Sequence, residues 1–208
     1  MNSKAATTLE ADFRSQYSRD FYQQGFDVSY PHFVAVDASS WEEDAHPIAI
    51  AWSMTDGQIK TTLIQPDDGW DDWDYALEDI HGISRDTLYQ RGETTWSVIR
   101  ELENDLEQSY LFADDQERVE ELLNRIYESC GRELSLEVGS HSENIQNRSA
   151  LAEATEQLFH QHLPCDERVL VMLQLWVSEH GYQTPADEAE SRSDDNDDRD
   201  DNDESDND

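Results

Sequence analysis

Residues 33–40 read FVAVDASS, and residues 47–54 read PIAIAWSM. The unbroken apolar run ending at Asp37 describes a strand covered on both faces, because a half-buried strand would alternate. The second run has the same character, and the polar loop SSWEEDAH separates the two. Asp56-Gly57 follows as a strong hairpin signal. Ile59 to Ile64 then returns as a third strand and stops before Pro66. Three strands so connected form an antiparallel meander.

Downstream, the pattern changes to helices alternating with single strands. The stretch DDGWDDWDYALEDIHGIS (67–84) reads as an acidic loop with a helical turn. Ser84 caps a short helix through Leu88, and Thr94 or Thr95 caps a longer one carrying Trp96, Ile99, Leu102 and Leu106 at helical spacing. Tyr110–Ala113 is a fourth strand ending at Asp114, Glu117–Ser129 an amphipathic helix, and Glu133–Val138 an alternating fifth strand. Helices are expected over Arg148–His162 and Asp166–His180, with Pro164 between them. The order predicts an α/β fold: a mixed five-stranded sheet, meander plus parallel strands, flanked by helices. Functional groups in such sheets gather at the carboxyl ends of strands, where Asp37 and Asp114 fall.

The ends of the chain differ from this body. Residues 1–31 form an N-terminal helical extension, since Phe13, Tyr17 and Phe21 recur at helical spacing. Residues 32–182 form the main domain. Residues 183–208 form an acidic tail, which has almost nothing apolar to bury and is expected to be disordered.

The chain of 208 residues carries 49 acidic and 14 basic side chains, a formal net charge of −35. Lysine occurs only at positions 4 and 60. Many acids with few lysines suit a salt-rich cytoplasm, where screening weakens self-repulsion; an acidic protein of an ordinary cell is the alternative. The sign of the charge argues against a duplex-DNA binder. No apolar run is long enough for a spanning helix, the first residues lack an apolar signal region, and two cysteines make no disulfide framework. A cytoplasmic location follows as the expectation.

Four strings together resemble the DEDD-type (DnaQ-like) 3′–5′ exonucleases, which have a ribonuclease H-like fold and include the proofreading subunit of bacterial DNA polymerase III and ribonuclease T. VAVDASS with PIAIAWSM resembles the first motif, and Ile80-His81-Gly82-Ile83-Ser84 matches the family's His-Gly-Ile-Thr/Ser element. YLFADDQERVEELL (110–123) resembles the second motif, and RSALAEATEQLF (148–159) the third. The resemblance covers residues 32–163. It implies two-metal phosphodiester hydrolysis by Mg²⁺ or Mn²⁺ held on converging carboxylates, with a histidine base.

The chain departs from that pattern where the chemistry resides. Asp37 matches the first carboxylate, but the second falls on Ser39, the third on Val119, the base on Arg148 and the last carboxylate on Glu153. Asp37 and Glu153 are thus the only metal-ligand candidates in type, and Arg148 would bring a fixed positive charge to the cation position. Glu42 or Glu43, Asp114 or Asp115, and His141 could supply displaced groups. The reading is an exonuclease-like protein that has lost activity, needs no cofactor, and acts as a binding module for a nucleic-acid end or a protein. Two alternatives stand beside it: an active exonuclease with displaced ligands, and an acidic protein whose tail binds a basic partner. The family resemblance also leaves a homodimer open.

Other features have structural readings. The acidic stretch lacks calcium-loop spacing and reads as a solvated loop, with Trp70 and Trp73 pinning it to the core. His81 reads as a hydrogen-bonded turn residue. His160 and His162 point apart on a helix, and Cys130 and Cys165 read as buried small residues. The stripe Val169, Leu170, Leu173, Trp176 and Val177 is core or an oligomer contact.

Overall fold

The computed structural model describes residues 29–180, apart from residues 144 and 161. The N-terminal helix expected around Phe13–Phe21 and the acidic tail lie outside the described residues. The strands are β1 (Phe33–Ala38), β2 (Pro47–Ser53), β3 (Ile59–Leu63), β4 (Tyr110–Ala113) and β5 (Glu137–Ser140). The helices are α1 (Tyr75–His81), α2 (Arg85–Arg91), α3 (Thr95–Asp105), α4 (Gln116–Ser129), α5 (Arg148–His160) and α6 (Cys165–His180).

The sheet order is β3-β2-β1-β4-β5. β1, β2 and β3 pair antiparallel, while β4 joins β1 and β5 joins β4 in parallel. Every residue of β2 is buried, as its continuous apolar run predicts for a strand covered on both faces. One face is covered by α3 and α4 through Val98, Ile99, Leu102, Leu122, Leu123 and Ile126. The other is covered by α5 and α6 through Leu158, Val169, Met172 and Leu173. Of the stripe on α6, Val169 and Leu173 are core and Trp176 packs against it, while Leu170 and Val177 are half-buried. Tyr30 already belongs to this body: its amide donates to the Thr55 carbonyl at 2.9 Å, and its ring meets Trp176 at 5.4 Å.

Two elements differ from expectation. The fifth strand pairs over Glu137–Ser140 rather than 133–138. Leu134 and Leu136 pack into the core from an irregular segment, so their alternation reflects burial without a hydrogen-bonded ladder. The register is fixed instead by Phe112 opposite Gly139. The Tyr110 hydroxyl lies 2.1 Å from where a Cβ at 139 would begin, so any side chain there would have to displace the end of the tyrosine. Second, the acidic tryptophan loop contains a full short helix, α1. Asp74 caps it by accepting from the Ala76 amide at 2.8 Å, and Gly82 closes it at φ 71°. Trp70 stacks on His46 at 5.3 Å, and the Trp73 indole donates to Glu78 at 2.9 Å, which pins the loop as its sequence implies.

Among the described residues, no helix is long and apolar enough to cross a membrane.

Candidate functional site

β1 and β4 run in parallel with Val34 opposite Ala113, so Asp37, next to last in β1, and Asp114, just after β4, come to the same end of the sheet. The ladder between β1 and β2 shifts register between Asp37 and Ala38, an irregularity that re-aims the strand end. Both carboxylates meet one guanidinium, that of Arg168 in the first turn of α6. Arg168 Nη1 donates to Asp114 Oδ2 at 2.5 Å. Its Nη2 donates to Asp37 Oδ1 at 2.8 Å and to the Val36 carbonyl at 2.8 Å. The side chains of Arg168, Asp37 and Asp114 are 14%, 11% and 4% exposed. Burial works against the charge on Arg168, but the carboxylates of Asp114 and Asp37 outweigh it and hold the proton more tightly than usual.

The helix itself adds to this arrangement. The Cys165 amide, first in α6, donates to Asp37 Oδ2 at 3.1 Å, so Asp37 also faces the positive end of a helix of 16 residues. The Cys165 thiol is fully buried; burial, and then the charge of Asp37, push its pKa well above the ordinary thiol value. It is an inert packing residue.

The strand ends open into a cleft of about 170 Å³. Val119 and Leu122 from α4, Leu77 and His81 from α1, and Leu158 from α5 line it together with the charged triad. Trp41, Ile80 and Phe159 also line it; Trp41 is 71% exposed and Phe159 50%. The His81 Nδ1 accepts from the Ile83 amide at 3.0 Å, which puts the ring proton on Nε2. Burial lowers the His81 pKa, against the pull of Asp37 and Glu78. His81 is the last residue of α1 and not a turn residue; it is hydrogen-bonded through Nδ1 and borders the cleft.

The remaining predicted residues separate into those at the cleft and those elsewhere. Ser39 is buried beside β1, where its hydroxyl donates to Asp72 Oδ2 at 2.7 Å and accepts from the His46 amide at 2.9 Å. Burial alone would raise the Asp72 pKa, but hydrogen bonds from Ser40 and Ser39 lower it overall. Val119 contributes an apolar wall. Arg148 and Glu153 are both exposed on α5 and do not line the cleft, so Glu153 is not brought to Asp37. The positive charge at the strand ends comes from Arg168, not Arg148. Glu42 and Glu43 point to solvent, and it is their main-chain carbonyls that are held, by Arg118 at 3.3 Å and by Arg125. Asp115 borders the cleft and caps α4 by accepting from the Arg118 amide at 3.1 Å. His141 is buried against the Ala113 carbonyl, 3.1 Å from its Nδ1.

Arg168 was not among the residues singled out from sequence. One signal was available: it is the only lysine or arginine in α6, and it directly follows Asp166 and Glu167 at the head of a largely apolar helix.

Neither a family model nor a curated protein matches the chain. Solved structures do. A structure of exonuclease I superposes with a TM-score of 0.54 at 12% identity, covering 71% of this chain and 42% of that one. The fold resembles that of exonuclease I. A zinc-bound E. coli exonuclease I complex with single-stranded DNA gives 0.53 at 13% identity, over 72% and 40% of the two chains. A third exonuclease I structure gives 0.51 at 11% identity, over 72% and 41%. This chain spans about two-fifths of the length of these exonuclease I chains. At such identities the likeness establishes the ribonuclease H-like architecture and nothing of the chemistry.

The exonuclease resemblance implies divalent metal ions, and the residues at the strand ends do not fit them. Mg²⁺ and Mn²⁺ need several free oxygens converging on one point. Here Asp37 spends both carboxylate oxygens, one on Arg168 and one on the Cys165 amide, and Asp114 spends one on Arg168. Among the described residues, no group of three or more histidine, cysteine, aspartate or glutamate side chains is placed to hold a metal ion.

Proposed function

We propose that this exonuclease-fold protein does not hydrolyse nucleic acid and acts as a binding module for an unpaired nucleic-acid end. The observation that carries the first half is the Arg168 guanidinium lodged between Asp37 and Asp114. A divalent ion would have to displace a buried, doubly paired arginine and oppose a helix N-terminus. The second half is supported by the exposed rings of Trp41 and Phe159 beside an apolar-walled cleft. A chain of net charge −35 gains little from phosphates, so the bases supply the contact by stacking.

The test has two arms. Short single-stranded DNA and RNA are incubated with the protein and Mg²⁺ or Mn²⁺; no mononucleotide release is expected. Metal-dependent release that disappears in Asp37→Ala would overturn the loss of activity. Binding of the same oligonucleotides is followed by tryptophan fluorescence, and Trp41→Ala should weaken it about 5- to 150-fold, the equivalent of one stacked base. An affinity that falls steeply with salt, or no binding beside capture of a peptide ligand, would overturn the nucleic-acid reading.

A further inference from the structure

We infer that Arg168 is a resident cation: its guanidinium takes over the neutralising and tying role of a divalent ion, and its removal leaves a site for planar N–H cations. This rests on reading the strand ends as closed to metal ions, and it adds what the site is built to hold.

The oxygens define the ligand. Asp114 Oδ2 receives one terminal nitrogen of the guanidinium, and Asp37 Oδ1 and the Val36 carbonyl receive the other. Three oxygens thus meet two adjacent nitrogens of one flat ion, an arrangement suited to a fork and not to an octahedral sphere. A lysine ammonium would bring the charge without the fork. Asp114 Oδ1 is buried and has no hydrogen-bond partner among the described residues, so the site keeps acceptor capacity close to the bound cation. The pairing also joins three elements, β1, β4 and α6, through one side chain.

The inference predicts behaviour that a merely packed arginine would not show. Arg168→Ala leaves two buried carboxylates without a counter-charge, and the full chain should melt about 6–20 °C lower. Ethylguanidinium at about 10 mM should restore a substantial part of that loss by binding the folded state. Tetramethylammonium, with the same charge and no N–H group, should restore none. The wild-type melting point should be indifferent to Mn²⁺, a chelator and ethylguanidinium. Arg168→Lys serves as a second variant that keeps the charge, and it should stay well below wild type.

Thermal unfolding of the three proteins, without nucleic acid, decides the matter. Recovery of Arg168→Ala by ethylguanidinium alone supports the inference. Equal recovery by tetramethylammonium, greater recovery by Mn²⁺, no recovery by any cation, or wild-type stability in Arg168→Lys overturns it. Hydrolysis by the wild-type protein would overturn the proposed function without bearing on these melting points.

Discussion

Two of the arginine–carboxylate clusters among the described residues look alike on paper and differ in surroundings. Arg132 grips Glu103 with both terminal nitrogens, at 2.7 and 3.1 Å, beside the Tyr127 hydroxyl at 3.1 Å. Its guanidinium carbon lies 5.2 Å from the centre of the Tyr127 ring. That pair is roughly a third exposed, and water shares in its solvation. Arg168 faces two carboxylates at once and is far less accessible. A buried pair of this kind is a poor stabiliser compared with apolar packing, yet it is costly to break. The first cluster ties α3 to the chain following α4, whereas the second ties the ends of β1 and β4 to the first turn of α6.

Mutations separate the two. Arg168→Ala should lower the unfolding free energy by about 3–5 kcal/mol, read by denaturant titration, because the carboxylates it leaves behind are desolvated. Arg132→Ala should cost several-fold less in the same assay, since Glu103 is free to recover water. Salt sharpens the contrast. The effect of Arg132→Ala should shrink between low and high KCl, while that of Arg168→Ala should hardly change, because mobile ions screen only charges they can approach. Equal effects from the two substitutions, or equal salt dependence, would mean that burial is not what distinguishes the clusters.

The smallest expected effect concerns pH. Both guanidiniums keep their protons throughout the neutral range, so pH-dependent stability there comes from elsewhere. His46 is buried against Trp70, and burial lowers its pKa below the ordinary 6.5, against the opposing pull of the Pro47 carbonyl and Asp72. The unfolded chain therefore takes up a proton at a pH where the folded chain does not. The associated stability is complete above about pH 6.5 and is lost as pH falls below it, until His46 protonates in the folded state. His46→Asn should flatten this slope relative to wild type in unfolding titrations between pH 7 and 5.

Much of the fold was legible because its signals are local. The apolar runs at 33–36 and 47–52, the Asp56-Gly57 turn and the capping residues Ser84 and Thr94 each act within a few residues. The fifth strand was misplaced because Leu134 and Leu136 alternate for burial, while the hydrogen-bonded pairing with β4 starts only at Glu137, opposite Tyr110. The site was half legible. Asp37 and Asp114 announced themselves as strand-end acids, but Arg168 meets Asp37 across 131 positions of sequence. No spacing rule reaches that far. The exonuclease motifs end before α6, so their template directed attention to Arg148 and Glu153, which remain on the surface.

That separation has a consequence for how the protein is made. A ribosome delivers β1 with Asp37 first and β4 with Asp114 midway, but neither acquires its counter-charge until Arg168 follows much later. Until then the strand ends must stay hydrated, and the sheet cannot close over them without a large electrostatic penalty. Completion of the strand ends is thereby deferred to α6, a long-range contact of the kind that slows folding. Arg168 thus acts as a clasp that joins segments far apart in the order of synthesis.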